Sequence, residues 1–387
     1  MAPVERGSVL NMKRSRTLFL SVSVVVVLLF SGVLLANRNT QDVLFRALGN
    51  LAEVVHLVEN EYVDELNQEA LSLSLDAGLV ESFDRSAAVL PVDQIGNYLE
   101  FIESPPPFGL GLTSRLGSAA IHYVLPGSPA ETAGLNRWEV IELVEGVNSR
   151  GRPLWQIRLE LMEHQNSGEK VTLTVFDREV DDRREVVLVP TNWQPQAASV
   201  ELHDEVTVIK IEAVAADAVT LVAGLVPEKG ALILDLRDLR WGLEAETIDL
   251  ADGFIHEGIV GQWKGRRAGA RVYEATPEMV ISSAPMVLVG PHTEGVGEIL
   301  AAALKRSGAV LVGQKTLGHA PYMSLVRDGD VAVWMPVGQW LRPDDEPING
   351  HGIEPDHVVE VADPDAEGDP VLERALEIIT QEAEMAA

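Results

Sequence analysis

The sequence predicts a multi-domain α/β protein with a second, β-rich domain and an N-terminal transmembrane helix. Three observations support this prediction: strands and helices alternate after Val200, short strands fill the stretch between two proline-rich breaks, and residues 18–36 carry no charge. With 387 residues, the chain is also too long for one ordinary hydrophobic core.

The N-terminal apolar segment, Leu18 to Ala36, has about the length of one bilayer crossing. Basic residues such as Arg14 and Arg16 precede it, so the positive-inside rule predicts that residues 1–17 are cytoplasmic. We therefore expect a single-pass inner-membrane protein with the bulk of the chain in the periplasm or otherwise extracytoplasmic. A cleaved signal peptide is the alternative, although the bulky Leu34 fits poorly before a cleavage site.

Sequence patterns divide the rest of the chain into four segments. Residues 41–104 have helical apolar spacing and end at a run of prolines. Residues 105–192 are predicted to form short strands around one helix, Leu154 to His164. Residues 193–362 alternate between strands and helices, which predicts a partly parallel sheet, and residues 363–387 predict a helical tail.

The composition is strongly acidic. The chain has 59 Asp and Glu against 30 Lys and Arg, a formal net charge of −29. We therefore expect cationic or neutral partners and no nucleic acid, which requires clustered Lys and Arg. The absence of cysteine excludes disulfides, thiol catalysis and Cys-ligated zinc. The four histidines from His292 to His357 form no metal-binding motif, so we expect no metal and no cofactor.

Two motifs within residues 105–192 resemble the PDZ domains of exported bacterial proteases. The first, similar to the loop that opens a PDZ domain, comprises Phe108, Gly109, Leu110, Gly111 and Leu112. The second comprises Pro126 to Ala130, Ala133 to Leu135, and Val140 with Ile141. It departs from the usual pattern at residues 136–139, where Asn-Arg-Trp-Glu replaces the usual Pro-Gly-Asp turn.

The PDZ resemblance implies that residues 108–112 bind the C-terminus of a peptide. Glycines allow backbone N–H groups to turn toward a terminal carboxylate, and an exposed strand edge pairs with an extended peptide. Leu110, Leu112 and the helix from Leu154 would form the pocket for the last peptide residue. The alternative is that Gly109 and Gly111 only form a tight turn.

Ordered motifs along the chain resemble the carboxyl-terminal processing (tail-specific) proteases. These motifs are Gly78 to Ser86, Lys229 to Arg237, Val312 to Gly318, Trp334 to Gly338 and Asn349 to Asp356. The resemblance implies a ClpP/crotonase-like protease core. It also implies a mechanism in which a lysine deprotonates a nucleophilic serine and a glutamine orients the lysine.

The three catalytic positions of that family hold other residues in this chain. Gly295 occupies the nucleophile position, which the following Glu298 and Ile299 identify. His319 occupies the lysine position and Met323 the glutamine position. We therefore expect no intact catalytic residue, because a glycine has no side chain with which to form an acyl-enzyme.

The oxyanion loop also departs from the family pattern, and one substitute site is conceivable. Asp238 to Gly242 contains one glycine and a bulky Trp241 where two glycines are expected. Thr293 precedes Gly295 by two residues, and His292 or His319 would supply a base. The plainer interpretation is that Thr293 caps the following helix or belongs to a loop, and that His319 is a surface residue.

Together these features predict a membrane-anchored PDZ protein of the pseudoprotease class. Its partners would be peptide or protein C-termini or unfolded segments, an active protease to which it presents them or from which it withholds them, and the membrane through one helix. Two alternatives stay open. One is an active serine- or threonine-type peptidase with a rearranged site, and the other is a structural scaffold with homotypic PDZ contacts.

Overall fold

The computed structural model describes residues 45–63, 66–277, 281, 284–329, 331–361 and 368–386. The predicted transmembrane helix, residues 18–36, lies outside these ranges, and its prediction stays untested. No helix within the described residues is long and apolar enough to cross a membrane. The chain divides into two compact units, Met1–Leu71 and Ser72–Ala387.

The described part of the first unit is largely helical. Helix α1 covers residues 45–61, and α2 covers Gln68–Glu81, which begins in the first unit and ends in the second. Within α1, the Asn60 side chain donates to the His56 carbonyl oxygen at 2.6 Å. The helical pattern predicted from the sequence is confirmed over these residues.

The stretch after α2 corrects the prediction that residues 41–104 are helical throughout. Strand β1, Ala88–Leu90, pairs antiparallel with β16, Val331–Trp340. Ala88 and Leu90 are buried, and the pairing with β16 replaces the hydrogen bonds that a helix would have made. Helix α3, Ile95–Glu103, follows and buries Tyr98.

Residues 110–188 form an antiparallel sheet with the strand order β2-β3-β4-β6-β7, in which β5 also pairs with β4. The strands are Leu110–Arg115, Ser118–Val124, Val140–Val144, Val147–Asn148, Val171–Asp177 and Asp182–Leu188, in chain order from β2. Helix α4 is Pro129–Thr132 and α5 is Leu154–Ser167. Ile157 and Leu161 of α5 pack against Ile121 and Leu173 of the sheet. The strands and the helix predicted here are confirmed, and β2 is an edge strand.

The second half of the chain is built on a sheet with the order β17-β14-β13-β10-β9-β8, parallel except for the β8–β9 pair. Its strands are β8, Ala198–His203; β9, Val206–Ile211; β10, Ala231–Asp235; β13, Met286–Val289; β14, Leu311–Gly313; and β17, His357–Val358. Its helices, from α6, are Ala218–Leu225, Glu244–Phe254, Val296–Arg306 and Pro370–Ala386.

Helices cover both faces of this parallel sheet. Because side chains alternate along a strand, Leu232 and Leu234 of β10 face α7 and α8, whereas Ile233 packs with Val371 and Ile378 of α9. The alternation of strands and helices therefore predicts this layer correctly. The N-terminus of α8 lies at the carboxyl ends of β10 and β13, where open α/β sheets place their sites.

A third sheet joins β1, β16, β11 and β12, with β15 also paired to β16. Its additional strands are β11, Ile259–Lys264; β12, Ala270–Glu274; and β15, Pro321–Asp328. Trp263 stacks on Tyr322 with ring centroids 3.9 Å apart, and Tyr322 meets Trp340 edge-on. These strands were not predicted from the sequence.

Candidate functional site

A cavity of about 260 Å³ lies where β2 and β3 meet the start of α8, and we call it the Gly295 cavity. Its charged and histidine lining comprises Arg85, His122, Arg158, Arg240, Glu294 and His319, and its apolar lining includes Phe101, Leu110, Leu112, Trp241 and Trp334. The fold thus brings Gly295 and His319 together beside the predicted peptide-binding strand. No group of three or more metal-ligating side chains occurs in the part of the chain that the structure describes.

Gly295 forms the N-cap of α8. Its backbone has φ 55° and ψ −115°, a conformation that suits glycine because a Cβ would strain it. Its N–H donates to the His319 carbonyl oxygen at 3.0 Å. No other atom lies within 4 Å of the position that a Cβ would occupy, so the space beside the backbone is open. The position predicted for the nucleophile therefore carries no reactive side chain.

Glu294 connects three separate segments at the floor of the cavity. His122 Nε2, from β3, lies 2.7 Å from Glu294 Oε1, and Arg85 Nη2 donates to Glu294 Oε2 at 3.2 Å. The Glu294 side chain is only 8 % exposed. Burial by itself raises the pKa of Glu294, but the hydrogen bond from His122 and the charges of His122 and Arg85 outweigh burial and lower it. The carboxylate is therefore ionised at neutral pH and engaged on both oxygens.

His319 lies between two carboxylates. Its Nε2 is 3.6 Å from Asp84 Oδ2, and its backbone N–H donates to Glu298 Oε2 at 2.8 Å. Burial alone raises the pKa of Asp84, but His319 and a hydrogen bond from Ser86 lower it below its ordinary value. Burial raises the pKa of Glu298, because its effect is larger than that of the hydrogen bonds from Thr316 and the backbone, which lower it. His319 is thus partly buried, with its side chain 26 % exposed, which corrects the surface interpretation.

Comparison with known proteins assigns the parallel sheet and the loops around Gly295 to a family. The sequence model of peptidase family S41 matches residues 206–359, the stretch from β9 to β17. We call this matched part of the chain the S41 domain. The carboxyl-terminal-processing protease of Synechocystis sp. is 28 % identical over 322 residues, which cover 79 % of this chain and 75 % of that protein. The carboxy-terminal processing protease of Bacillus subtilis is 25 % identical over 320 residues, which cover 79 % of this chain and 67 % of that protein.

A solved structure supports the fold of the S41 domain and its surroundings. The photosystem II D1 C-terminal processing protease superposes with a TM-score of 0.60 at 18 % sequence identity. The match covers 79 % of this chain and 86 % of that one. The resemblance to carboxyl-terminal processing proteases is therefore confirmed, together with the mixed α/β protease fold.

Two other predicted positions of the S41 domain lie away from the cavity lining. Met323 is a half-buried residue of β15 and is not among the side chains that line the Gly295 cavity. Thr293 is fully buried, and its hydroxyl donates to the Leu236 carbonyl oxygen at 2.8 Å while accepting from Gly290 N–H at 3.0 Å. Thr293 does not cap α8, because Gly295 is the N-cap residue, so the loop role fits and the capping role is wrong.

The loop after β10 in the S41 domain is held by ion pairs. Asp238 lies 3.1 Å from Lys210, 3.3 Å from Arg240 and 3.6 Å from His292. The hydrogen bond from His292 and the charge of Lys210 lower the pKa of Asp238 despite its burial. The predicted base His292 is thus paired with Asp238, and the cavity wall presents Trp241 and Arg240.

The five residues predicted to bind a peptide C-terminus fall into two groups. Phe108 is fully buried, and a Cβ on Gly109 would lie 2.3 Å from the Ser128 Cβ, so both positions serve packing. Leu110, Gly111 and Leu112 belong to the edge strand β2 and line the Gly295 cavity. The N–H groups of Gly109 and Leu110 donate to the Pro106 and Pro107 carbonyl oxygens, which corrects the expectation that they are free for a carboxylate.

Arg85 and His122 were not predicted as site residues. They lie 209 and 172 positions from Glu294 in the sequence, and His122 belongs to no motif. A single histidine inside a strand carries no sequence signal of its contact. Arg85 lies within the motif from Gly78 to Ser86, but nothing in that motif indicates a contact with Glu294.

Proposed function

We propose that this chain is a membrane-anchored pseudoprotease, which uses a PDZ-like sheet to bind C-terminal or unfolded peptide segments without cleaving them. The observation that carries the proposal is Gly295. Nucleophilic catalysis needs a hydroxyl or thiol activated by a nearby base, and Gly295 has no side chain. The Glu294 carboxylate is engaged with His122 and Arg85, and the His319 imidazole, 3.6 Å from Asp84, lies beside a position that offers no hydroxyl to activate.

The threonine-type alternative requires a reactive hydroxyl that reaches the cavity. The Thr293 hydroxyl is instead buried and makes two backbone hydrogen bonds. Turning it toward the Gly295 cavity would break both bonds and leave Gly290 N–H unpaired, at a cost of about 1–3 kcal/mol, whereas Leu236 C=O would still accept from Leu239 N–H at 3.2 Å. The geometry therefore favours a structural role for Thr293.

Peptide binding is supported by the edge strand β2 and its surroundings. Leu110 to Leu112 line the cavity together with Arg158 of α5, which donates to the Leu112 carbonyl oxygen at 2.7 Å. An extended peptide adds to such an edge through main-chain hydrogen bonds. The extracytoplasmic location and delivery to an active partner protease are proposed from the N-terminal apolar segment and the family resemblance. A homotypic scaffold has no comparable structural support.

Hydrolysis and binding assays on the same purified chain test both parts of the proposal. We expect no cleavage of casein or of a peptide with an apolar C-terminal tail, and saturable binding of that peptide by fluorescence anisotropy. Absence of binding would overturn the peptide-binding role.

A matched pair of threonine variants identifies any rearranged active site. Thr247 is as buried as Thr293, and its hydroxyl also donates to a backbone carbonyl oxygen, that of Leu243. Cleavage by the unmodified chain that disappears in Thr293→Ala but persists in Thr247→Ala would overturn the pseudoprotease assignment and establish Thr293 as a nucleophile.

A further inference from the structure

A second cavity continues the Gly295 cavity along strand β2. It measures about 710 Å³ and is lined by the end of β2, the turn at residues 136–138 and the turn between β6 and β7. The two cavities share Arg85 and Thr113. We call the combined space the arginine groove, after Arg85, Arg115, Arg137, Arg158, Arg178 and Arg240.

The arginine groove is cationic although the chain as a whole is strongly acidic. Its six arginines face only three carboxylates, those of Asp177, Glu179 and Glu294. Arg85 is paired with Glu294, and Arg240 is paired with Asp238. The other four, Arg115, Arg137, Arg158 and Arg178, form no ion pair with any residue that the structure describes. The groove therefore has local charge opposite to the net charge of −29.

Trp138 organises the second cavity. Its ring lies 4.6 Å from the Arg137 guanidinium and 5.6 Å from that of Arg115. Its backbone has φ 73°, which is unfavourable for a bulky residue and which a hydrogen bond from its N–H to the Ile121 carbonyl oxygen holds in place. This turn is where the sequence departs from the Pro-Gly-Asp pattern, so the departure supplies an aromatic platform with two guanidinium groups.

Arg137 is poorly compensated within the protein. Burial, together with the positive charges of Arg240 and Arg85, lowers the pKa of Arg137 even though Glu294 opposes this effect. Its Nε is buried without a hydrogen-bond partner among the described residues. An added carboxylate would satisfy this donor and relieve the repulsion between the arginines.

We propose that the arginine groove binds an acidic peptide segment in extended conformation. This inference rests on the proposed peptide-binding role and names its ligand class. The strand β2 lies at the edge of its sheet and runs along both cavities, and alternate side chains of a strand added there would point toward the arginines. Carboxylates match guanidinium geometry in bidentate pairs. A long nucleic acid would extend beyond the groove over a surface that the net charge of −29 makes repulsive, whereas a short acidic peptide contacts only the groove.

Anisotropy with three labelled peptides of equal length tests the ligand class on the full chain. The peptides carry Glu, Gln or Lys at alternate positions of one apolar sequence. We expect the Glu peptide to bind at least about tenfold more tightly than the Gln peptide, and the Lys peptide to bind most weakly. Raising the salt concentration should reduce the difference, because exposed charges are screened.

Charge variants locate the binding site. The double variant Arg115→Glu/Arg178→Glu changes two exposed side chains and should weaken binding of the Glu peptide about tenfold or more. Arg137→Gln should weaken binding of the Glu peptide without affecting binding of the Gln peptide. Arg374→Glu, on the exposed face of α9, is the matched control and should leave affinity within about twofold. Circular dichroism checks that each variant is folded.

Each result separates the ligand class from the proposed function. Equal binding of the Glu and Gln peptides would overturn the acidic specificity and leave peptide binding intact. Failure of all three peptides to bind would overturn both. Cleavage of a bound Glu peptide would overturn the pseudoprotease assignment alone. Binding of a single-stranded oligonucleotide as tight as that of the Glu peptide would overturn the choice of an acidic peptide.

Discussion

Glu294→Gln removes one buried negative charge and keeps the shape of the side chain. The carboxylate accepts charge-assisted hydrogen bonds from His122 and Arg85, and glutamine leaves neutral bonds at best. Such bonds to charged groups are worth about 1.5–3 kcal/mol each, against about 0.5–1.5 kcal/mol for neutral ones. Because the Arg85 side chain is 34 % exposed, solvent screening reduces the contribution of the Arg85–Glu294 bond to stability. We expect the variant to lose about 2 kcal/mol of unfolding free energy at neutral pH.

The pH dependence of this loss gives the decisive assay, which is urea unfolding followed by tryptophan fluorescence. The pKa of Glu294 is lower in the folded chain than its ordinary value of 4.5, so the carboxylate stabilises the fold above that pH. Its contribution disappears as pH falls through the folded pKa, and the gap between variant and unmodified chain should close. A gap that stays constant from neutral to acidic pH would refute the reasoning. Glu142→Gln, which removes the partner of the exposed Arg183, is the control and should leave stability nearly unchanged.

Three further substitutions test the packing. Gly111→Ala would place a Cβ 2.3 Å from the Tyr123 ring and should cost about 1–3 kcal/mol in urea unfolding, and an unchanged midpoint would show that the ring moves aside freely. Arg237→Gln removes two bonds of 2.7 Å to Asp369, so hydrogen exchange should increase in α9 but not in the central strands, and equal exchange everywhere would contradict a local tether. Gly78→Ala lies on the exposed face of α2 with no atom within 4 Å, and it should add about 0.5–1 kcal/mol of stability in thermal unfolding unless the helix frays there.

The parallel sheet was predictable because its central strands are short and largely apolar. Ala231–Asp235 and Met286–Val289 are buried on both faces, which alternating amphipathic strands are not. The sheet around β16 escaped prediction for the opposite reason. Pro336 lies inside β16 and would normally exclude a strand, but it sits at the register shift opposite Tyr322 and Met323, where the irregular pairing tolerates a missing N–H.

Residues of the candidate site could be predicted only where a family motif fixes their positions in the sequence. Gly295 and His319 could be located because Glu298 and Gly318 flank them in the family pattern, and the structure places both at one cavity. The contact of His122 with Glu294 depends on how two sheets meet, which no local pattern encodes. The net charge of the chain predicted cationic or neutral partners. It could not predict the arginine groove, because a sum over all residues does not reveal where arginines cluster.

The carboxylate of Glu294 also bears on how this site would change during evolution. Under the proposed function, a serine introduced at position 295 would stand beside an acid already committed to His122 and Arg85, and a histidine held near Asp84. Its backbone would also retain a φ of 55° that a side chain strains. Recovery of hydrolysis would therefore need several coordinated substitutions, each of which weakens contacts between segments before any activity returns. Under the proposed function, single mutations would therefore not restore hydrolysis at this site.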